Sequence, residues 1–398
     1  MTITTQTADN VLKTAYLDVI SNYLDYDANP FFSKIKKTSD NVWGKEIKKL
    51  VRIGNPCGVV AGSEDGEFYD TGKTEYKEFV MTLKNLYGNL EISDKAIRAS
   101  QNKSGAFANI LNEEIEELMK NANESFSRML FGDGCGTVAW VNNINMDGDL
   151  YVEEKNLLRK GMKIQISYNR DYLIDDGQVF TVGDFNEDES TFSVTPKVQF
   201  RYDENYQDER LYAHVVNSFK NEITGLEALF DSKNFNTIYG LKKDENKELL
   251  PMIYEYNNKS ANENLIQSVI DELKDKYGSD VNMILCSSGV KRGFIKEMAT
   301  YKRNIDTVEL KGGYKTVSYN GIPIISNKYC PSKTMYLLNT DDFAIHQLCD
   351  WEWLEGENGN ILRQLPNKPV YRATLVKYAE LLCSRPWAQA KITNLAED

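Results

Sequence analysis

The side chains best able to do chemistry are few in this chain and poorly spaced for it. There are two histidines, His214 and His346, and neither lies in the His-Glu-x-x-His spacing that puts two imidazoles on one helix face to hold zinc. A hydrolase triad would have to draw on the same pair, so each is expected to be a hydrogen-bonded structural histidine. The six cysteines, Cys57, Cys135, Cys286, Cys330, Cys349 and Cys383, have no close pairing of the kind a zinc or redox motif requires and are expected to be reduced core residues.

Two stretches imitate ligand loops. Gly132, Gly134 and Gly136 suggest a phosphate cradle, but no Lys-Ser or Lys-Thr follows and the glycines come after a helical pattern, which points to a helix stop and a tight entry into a strand. Asn143, Asn145, Asp147, Gly148 and Glu154 fall on calcium-loop positions. Position one is Asn, however, and Val138 to Val141 reads as a strand where an entering helix should be. A plain β-turn is expected there, which leaves Asn143, Asn145, Asp147 and Glu154 as the sole metal candidates; no cofactor is expected.

Composition narrows the class. A net charge of -12 and a pI near 5.0 repel phosphates on average, which disfavours a DNA reader and suits a container wall that releases few counterions. Residues 149–209 hold 14 acidic against 7 basic side chains, so -7 of the total -12 sits there. No run of about 18 apolar residues occurs, and the first ten residues lack a signal pattern, so no membrane contact is expected. The Tyr and Phe residues are not interleaved with basic clusters and are expected in cores and interfaces.

Ala8, Val11, Leu12, Ala15, Tyr16, Val19, Ile20, Tyr23 and Leu24 keep helical spacing, and Asn29 and Pro30 stop the pattern. This stripe needs a partner surface, and docking within the molecule and on a neighbour both remain open. Strand-like runs over Val42 to Ile53 and Thr74 to Tyr87 enclose a glycine-rich stretch, predicting a long hairpin whose tip residues Val59, Val60, Phe68 and Tyr69 need a neighbouring molecule. Ser93 is expected to cap a short helix to Ser100. A helix predicted over Ser104 to Phe131 would span about 40 Å, longer than most globular helices.

Short strands follow, at Lys163 to Tyr168, Val179 to Val182 and Thr191 to Val194, within an acidic β unit running from Tyr151 to Tyr212. Ser260 and Glu263 form a capping box ahead of a helix that Gly278 ends, and Val281 to Cys286 reads as a buried strand. Asn320-Gly321 marks a hairpin. The alternation of Trp351 and Trp353 predicts that both face one side of a strand, and Val370 to Cys383 predicts the last long strand.

This order of elements resembles the major capsid proteins of tailed phages, the Hong Kong 97-like fold, over nearly the whole chain. The resemblance rests on Leu90 to Ser93 before the long helix and on its ending in Leu130, Phe131, Gly132, Asp133 and Gly134. In the tail it rests on Tyr319 to Ile324, Asp350 to Gly359, Tyr371 to Tyr378 and Arg385 to Ala388. It implies an α+β chain with an N-terminal arm (1–40), an extended β-hairpin loop (41–90) and a peripheral domain (91–150) with a spine helix (104–131). A small β-rich insertion (151–212), an axial domain (213–319) and a return to the peripheral domain with a C-terminal strand (320–398) complete it.

The resemblance also implies a non-enzymatic shell protein of the virion, assembled in the bacterial cytoplasm as hexamers and pentamers. Expected partners are further copies, a separate scaffolding protein, a portal, a decoration protein and packaged double-stranded DNA held by non-specific contact. The short stretch before Ala8 and Met1 itself favour a separate scaffold. Inter-subunit contacts are expected at Val11, Leu12, Val19, Ile20, Val59, Val60, Phe68 and Tyr69. Gly44, Gly54 and Gly88 are expected to be joints. Some relatives join a loop Lys to a neighbour's Asn; Lys73, Asn358 and Asn360 lie in suitable regions, but no motif secures a match and no crosslink is expected. The rivals are an encapsulin-like compartment, a calcium-dependent β-rich binding protein and a hydrolase.

Overall fold

The computed structural model describes residues 29–53, 61, 63–65, 74–96, 104–152, 157–187, 190–199, 210–231, 235–300, 307–309, 315–356 and 359–398. The chain divides into two compact units. The first joins Met1–Leu83, Tyr87–Met119 and Phe230–Asp398, and the second joins Lys84–Leu86 and Lys120–Leu229.

The Asn29-Pro30 pair starts a helix, which the sequence reading does not anticipate. The Asn29 side chain accepts the Phe31 N–H at 3.1 Å, and Pro30 takes the first position of α1 (Pro30–Lys34), where its missing N–H costs nothing. Strand β1 (Lys36–Thr38) follows. The run from Val42 to Ile53 is not one strand: β2 (Val42–Trp43) turns back at Gly44 onto β3 (Glu46–Ile53). Strands β3 and β4 (Glu75–Thr82) pair antiparallel along their whole length. Leu83 then breaks the chain, and β5 runs from Lys84 to Ser93, beyond the predicted end at Tyr87. Ser93 accepts the Ala96 N–H at 3.2 Å, as its capping role requires, while residues 97–100 lie outside the described ones. The long helix, α2 (Ser104–Phe131), has the limits its apolar spacing predicts.

The second unit is a barrel. Its strands are β6 (Thr137–Ile144), β7 (Leu150–Val152), β8 (Lys163–Tyr168), β9 (Tyr172–Leu173), β10 (Phe180–Asn186), β11 (Thr191–Thr195) and β12 (Leu211–Val215). The order β10-β11-β7-β6-β12-β8 closes because β8 also pairs with β10, and every junction is antiparallel. Closure leaves the ring without an open edge. Leu150, Ile164, Ile166, Phe180, Val194 and Leu211 fill its interior. The sheet therefore begins before Tyr151, the predicted start, because β6 pairs with β12 across a long chain separation, Val141 opposite Leu211. After β12 comes the short helix α3 (Leu226–Phe230).

Returning to the first unit, a small hairpin of β13 (Thr237–Ile238) and β14 (Leu241–Lys242) precedes β15 (Met252–Lys259). Helix α4 (Glu263–Tyr277) is capped by Asn262, whose side chain accepts the Leu265 N–H at 2.8 Å. Asn262 thus takes the place predicted for Ser260, since a good cap lay two residues closer to the first turn. Gly278, at φ +60°, ends α4 as predicted. The remaining elements are β16 (Met283–Cys286), α5 (Ser288–Ala299), β17 (Thr307–Glu309), β18 (Lys315–Tyr319), β19 (Ile322–Ser326), β20 (Met335–Leu338), β21 (Phe343–Trp353), β22 (Arg363–Gln364), β23 (Val370–Cys383) and β24 (Ala390–Leu395). Asn320 and Gly321 have φ of 47° and 80°, the twist a two-residue hairpin demands.

Two sheets organise this unit. One has the order β15-β24-β20-β16-β19-β18-β17, and Ile266, Val269 and Leu273 of α4 and Val290, Phe294 and Met298 of α5 pack on it. The other has the order β1-β21-β23-β22, with β5 also pairing with β23. Gly88 of β5 is a point of close approach in this sheet: a Cβ there would stand 3.1 Å from Leu118 of α2. Packing explains this glycine, in place of the predicted joint.

Candidate assembly surfaces

The β3–β4 hairpin has one satisfied face and one bare face. Its satisfied face carries Ile47, Val51, Ile53, Phe79 and Met81, all buried, and burying a side chain of this size stabilises by about 1.5–3 kcal/mol. The root is fixed further by Val80 N–H to Tyr239 O at 3.0 Å and by Lys77 to Glu248 at 2.6 Å. Strand alternation puts Lys48, Leu50 and Arg52 on the other face, opposite Val80, Glu78 and Tyr76. There Leu50 is 70% and Tyr76 59% exposed, and Trp43, paired with Glu46 of the same face, is 71% exposed. Large apolar side chains on one rigid face in water mark a contact surface better than scattered ones do.

A second surface lies on the five-stranded sheet. Gly88 and Leu375 turn toward Leu118 of the long helix. The opposite face holds Tyr87 edge-on to Tyr378 at 6.4 Å, Asn89 bonded to Thr374 at 2.9 Å, and Glu91 taking Arg372 Nε at 2.9 Å. Toward the end of β21 a cleft of about 380 Å³ opens, lined by Glu352, Trp353, Leu354, Glu355, Ile361, Val376 and Tyr378. Bulges interrupt β21 between Gln347 and Glu352, yet both tryptophans keep to one side as their alternation predicts: Trp353 pairs with Leu375 and is buried, and the Trp351 ring stands 5.9 Å from Nζ of Lys377, two residues on from Leu375. Lys377, fully buried, pairs with Asp350 and donates to Gln347 at 2.8 Å. Burial opposes ionisation of Asp350, but the Lys377 and Lys37 ammonium groups outweigh it and hold the carboxyl down at about 2.

The eight residues expected at inter-subunit contacts, Val11, Leu12, Val19, Ile20, Val59, Val60, Phe68 and Tyr69, lie outside the described residues, as do Lys73, Asn358 and Cys57. Of the calcium-loop candidates, Glu154 also lies outside them. Asn143 caps its neighbour Ile144 N–H at 2.8 Å, and Asn145 accepts the Asp149 N–H at 2.8 Å in the tight turn between β6 and β7. Asp147 is exposed in that turn. The other cysteines are free thiols, and burial pushes Cys135 and Cys286 up to about 12.

The second unit holds its chemistry inside. His214 is fully buried, with Nε2 2.6 Å from Ser167 Oγ and Nδ1 3.4 Å from Thr137 Oγ1, which donates to Asp133 at 2.6 Å. Burial lowers the imidazole to about 4. Arg170 joins Asp133 at 3.0 Å and Glu227 at 3.1 Å, and Arg128 grips Glu222 with both guanidinium nitrogens. Such pairs lock the end of α2 to the loop after β12. His346 is also buried, its Nδ1 2.8 Å from the Asp40 carbonyl. Among the described residues no group of three or more His, Cys, Asp or Glu is placed to hold a metal, and no helix is long and apolar enough to cross a membrane.

Neither a family profile nor a curated protein matches the sequence. Among solved structures the chain is similar to the capsid asymmetric unit of cyanophage A-1(L), with 13% identity over 99% of this chain and 100% of that one and a TM-score of 0.56. That likeness shows the fold, a mixed α+β capsid-protein fold. The holo-SrpI encapsulin complex of Synechococcus elongatus PCC 7942 aligns at 12% identity over 96% of both chains, TM-score 0.44. Mycobacterium phage Bobi aligns at 9% over 100% of both, TM-score 0.44.

Proposed function

We propose that the chain is the major capsid protein of a tailed bacteriophage, assembling as hexamers and pentamers of an icosahedral shell around a double-stranded DNA genome. One observation carries the reading: a capsid-protein fold aligned end to end whose first unit leaves Trp43, Leu50 and Tyr76 bare on an anchored hairpin. In this reading 1–40 is the arm and 41–90 the extended loop. The peripheral domain is 91–150 with return 320–398, the insertion is the β-rich region around 151–212, and 213–319 is the axial domain. The work is done by repeated burial between copies and not by a bond-making step. A scaffolding protein, a portal and a decoration protein are the companions such a shell calls for, with DNA touching the wall without sequence preference.

Electron microscopy of the purified full chain tests the reading. Closed shells with five- and six-fold capsomers are expected; a protein that stays monomeric at millimolar concentration contradicts it. Shells that package enzymes rather than DNA in the producing cell would favour the encapsulin-like compartment instead.

A further inference from the structure

We propose that the outer wall of the barrel binds a neutral saccharide on the rings of Trp140 and Tyr151, with Asn142, Asn143 and Arg210 answering its hydroxyl groups. The inference stands on the second unit alone and goes beyond the shell reading, which gives the barrel no task. Three observations lead there.

The first is a pair of rings held in water. Val141, Leu150 and Val152 of β6 and β7 fill the barrel core, so strand alternation turns Trp140 and Tyr151 outward. Each is 42% exposed. They are diagonal neighbours on paired strands, a separation of roughly 8 Å. Tyr212, the partner of Trp140 on β12, meets the indole at 6.3 Å and 80°, and the Arg210 guanidinium stands over it at 5.1 Å. The Arg210 backbone is itself pinned: its N–H donates to Asn169 Oδ1 at 2.8 Å and its carbonyl accepts the Asn169 N–H at 2.8 Å. A ring fixed in this way loses little freedom when a ligand stacks on it. Its electron-rich face attracts the polarised C–H bonds that line one side of a sugar.

The second is the bulge beside those rings. Val141 pairs with Val152 and Asn143 with Tyr151, so Asn142 is one residue more than β7 can match. Regular alternation would turn one of two neighbouring asparagines toward the core, whereas the extra residue leaves both exposed next to Tyr151. Asn143 Oδ1 accepts the Ile144 N–H at 2.8 Å, which leaves its amide N–H groups for a ligand. Among the described residues, the side chains of Asn142, Trp140, Tyr151 and Arg210 make no hydrogen bond. Rings and unspent polar groups thus share one small patch.

The third is what such a patch can hold. Two rings each 42% exposed offer about 200 Å², far below the roughly 800 Å² that each partner gives to a stable protein interface. The occupant is therefore small. Residues 149–209 carry a charge of -7, which repels nucleotides and acidic sugars. A purely apolar ligand would leave the amides and the guanidinium unanswered. A neutral saccharide has apolar ring faces and a hydroxyl edge, and so meets both kinds of group.

Saturation-transfer NMR on the dispersed full-length chain tests the site. The neutral probes are cellotriose, maltotriose, mannotriose and triacetylchitotriose, and the acidic probe is trigalacturonate. At least one neutral probe should bind in the millimolar range, with its ring C–H protons saturated most strongly. Tyr151→Ala and Trp140→Ala should each weaken that binding about tenfold, the loss of one ring contact. Trp140→Phe, which keeps a ring, should weaken it less than Trp140→Ala. Each variant is checked for unchanged melting, since Trp140 also packs on Tyr212. Asn142→Ala, at an exposed position, should weaken binding about threefold and leave the barrel core untouched. Failure of all four neutral probes to bind overturns the inference. So does binding that survives both Tyr151→Ala and Asn142→Ala, or trigalacturonate binding more tightly than every neutral probe. None of these outcomes bears on assembly, and a chain that binds sugar but forms no particles contradicts the shell reading alone.

Discussion

The barrel and the hairpin-bearing unit solve the same problem in opposite ways. In the barrel the strand ring closes on itself, the core side chains such as Leu150, Ile164, Phe180 and Leu211 point inward, and the charged groups of Asp133, Arg170, Arg128 and Glu222 answer one another within the unit. In the other unit β3 and β4 bury one face and leave Leu50 and Tyr76 in water on the second. Closure makes a piece of chain self-sufficient, whereas an anchored ribbon with one bare apolar face has surface left over for a contact. In the proposed shell the assembling power therefore falls to the first unit, while the second is a stable unit with its own core.

The comparison is broken most directly at the barrel's internal pair. Arg128→Ala or Glu222→Ala should each cost the second unit about 3–5 kcal/mol, because each leaves a buried charge unanswered. Hydrogen exchange of β8 and β12 should report the loss, while β16 and β23 keep their protection. A paired Arg128→Met and Glu222→Leu change should recover most of it. On the hairpin, Phe79→Ala should cost about 3–5 kcal/mol, and Leu50→Ser on the bare face should change monomer stability by less than about 0.5 kcal/mol while weakening assembly. Chemical denaturation beside light scattering separates the two; equal stability losses at both positions would refute the two-face description.

Acid sharpens the contrast further. The folded barrel holds His214 neutral to about pH 4, below the 6.5 of a free imidazole, so the unfolded barrel binds the extra proton first. The barrel's stability from this group is intact above pH 6.5 and drains away as pH falls toward 4, by about 3 kcal/mol. His214→Asn should flatten the slope in that window, measured as exchange of the β12 amides against pH. A smaller loss than that of the histidine is expected at the β18–β19 turn: Gly321 has φ +80° with open space around it, so Gly321→Ala should cost only about 1 kcal/mol by strain.

What the sequence revealed follows the range of the interactions involved. The long helix, the β23 strand, the Asn320-Gly321 turn and the Gly278 stop depend on neighbours within a turn or two, and local pattern suffices for them. The barrel's true start at Thr137 does not, since β6 becomes part of it only by pairing with β12. Asn262 stands in place of Ser260 because both residues satisfy the capping rule and the one adjoining the first turn at Glu263 takes the cap. The bare face is not legible in the sequence for a related reason: Leu50 and Tyr76 read as ordinary members of strand-forming runs until the buried face is known. The sequence pattern points instead to Val59, Val60, Phe68 and Tyr69 at the tip, outside the described residues. Glu352 and Val376 are cross-strand neighbours that no spacing rule connects with Leu354 and Ile361.

Hydroxyl-radical footprinting of dispersed and assembled protein tests the division of labour most directly. The account predicts that Trp43, Leu50, Tyr76 and Tyr87 lose reactivity on assembly, while Met146, Trp140, Tyr151 and Tyr172, exposed on the barrel, keep theirs. Protection confined to the barrel side chains, with Leu50 and Tyr76 as reactive in particles as in monomers, would contradict it.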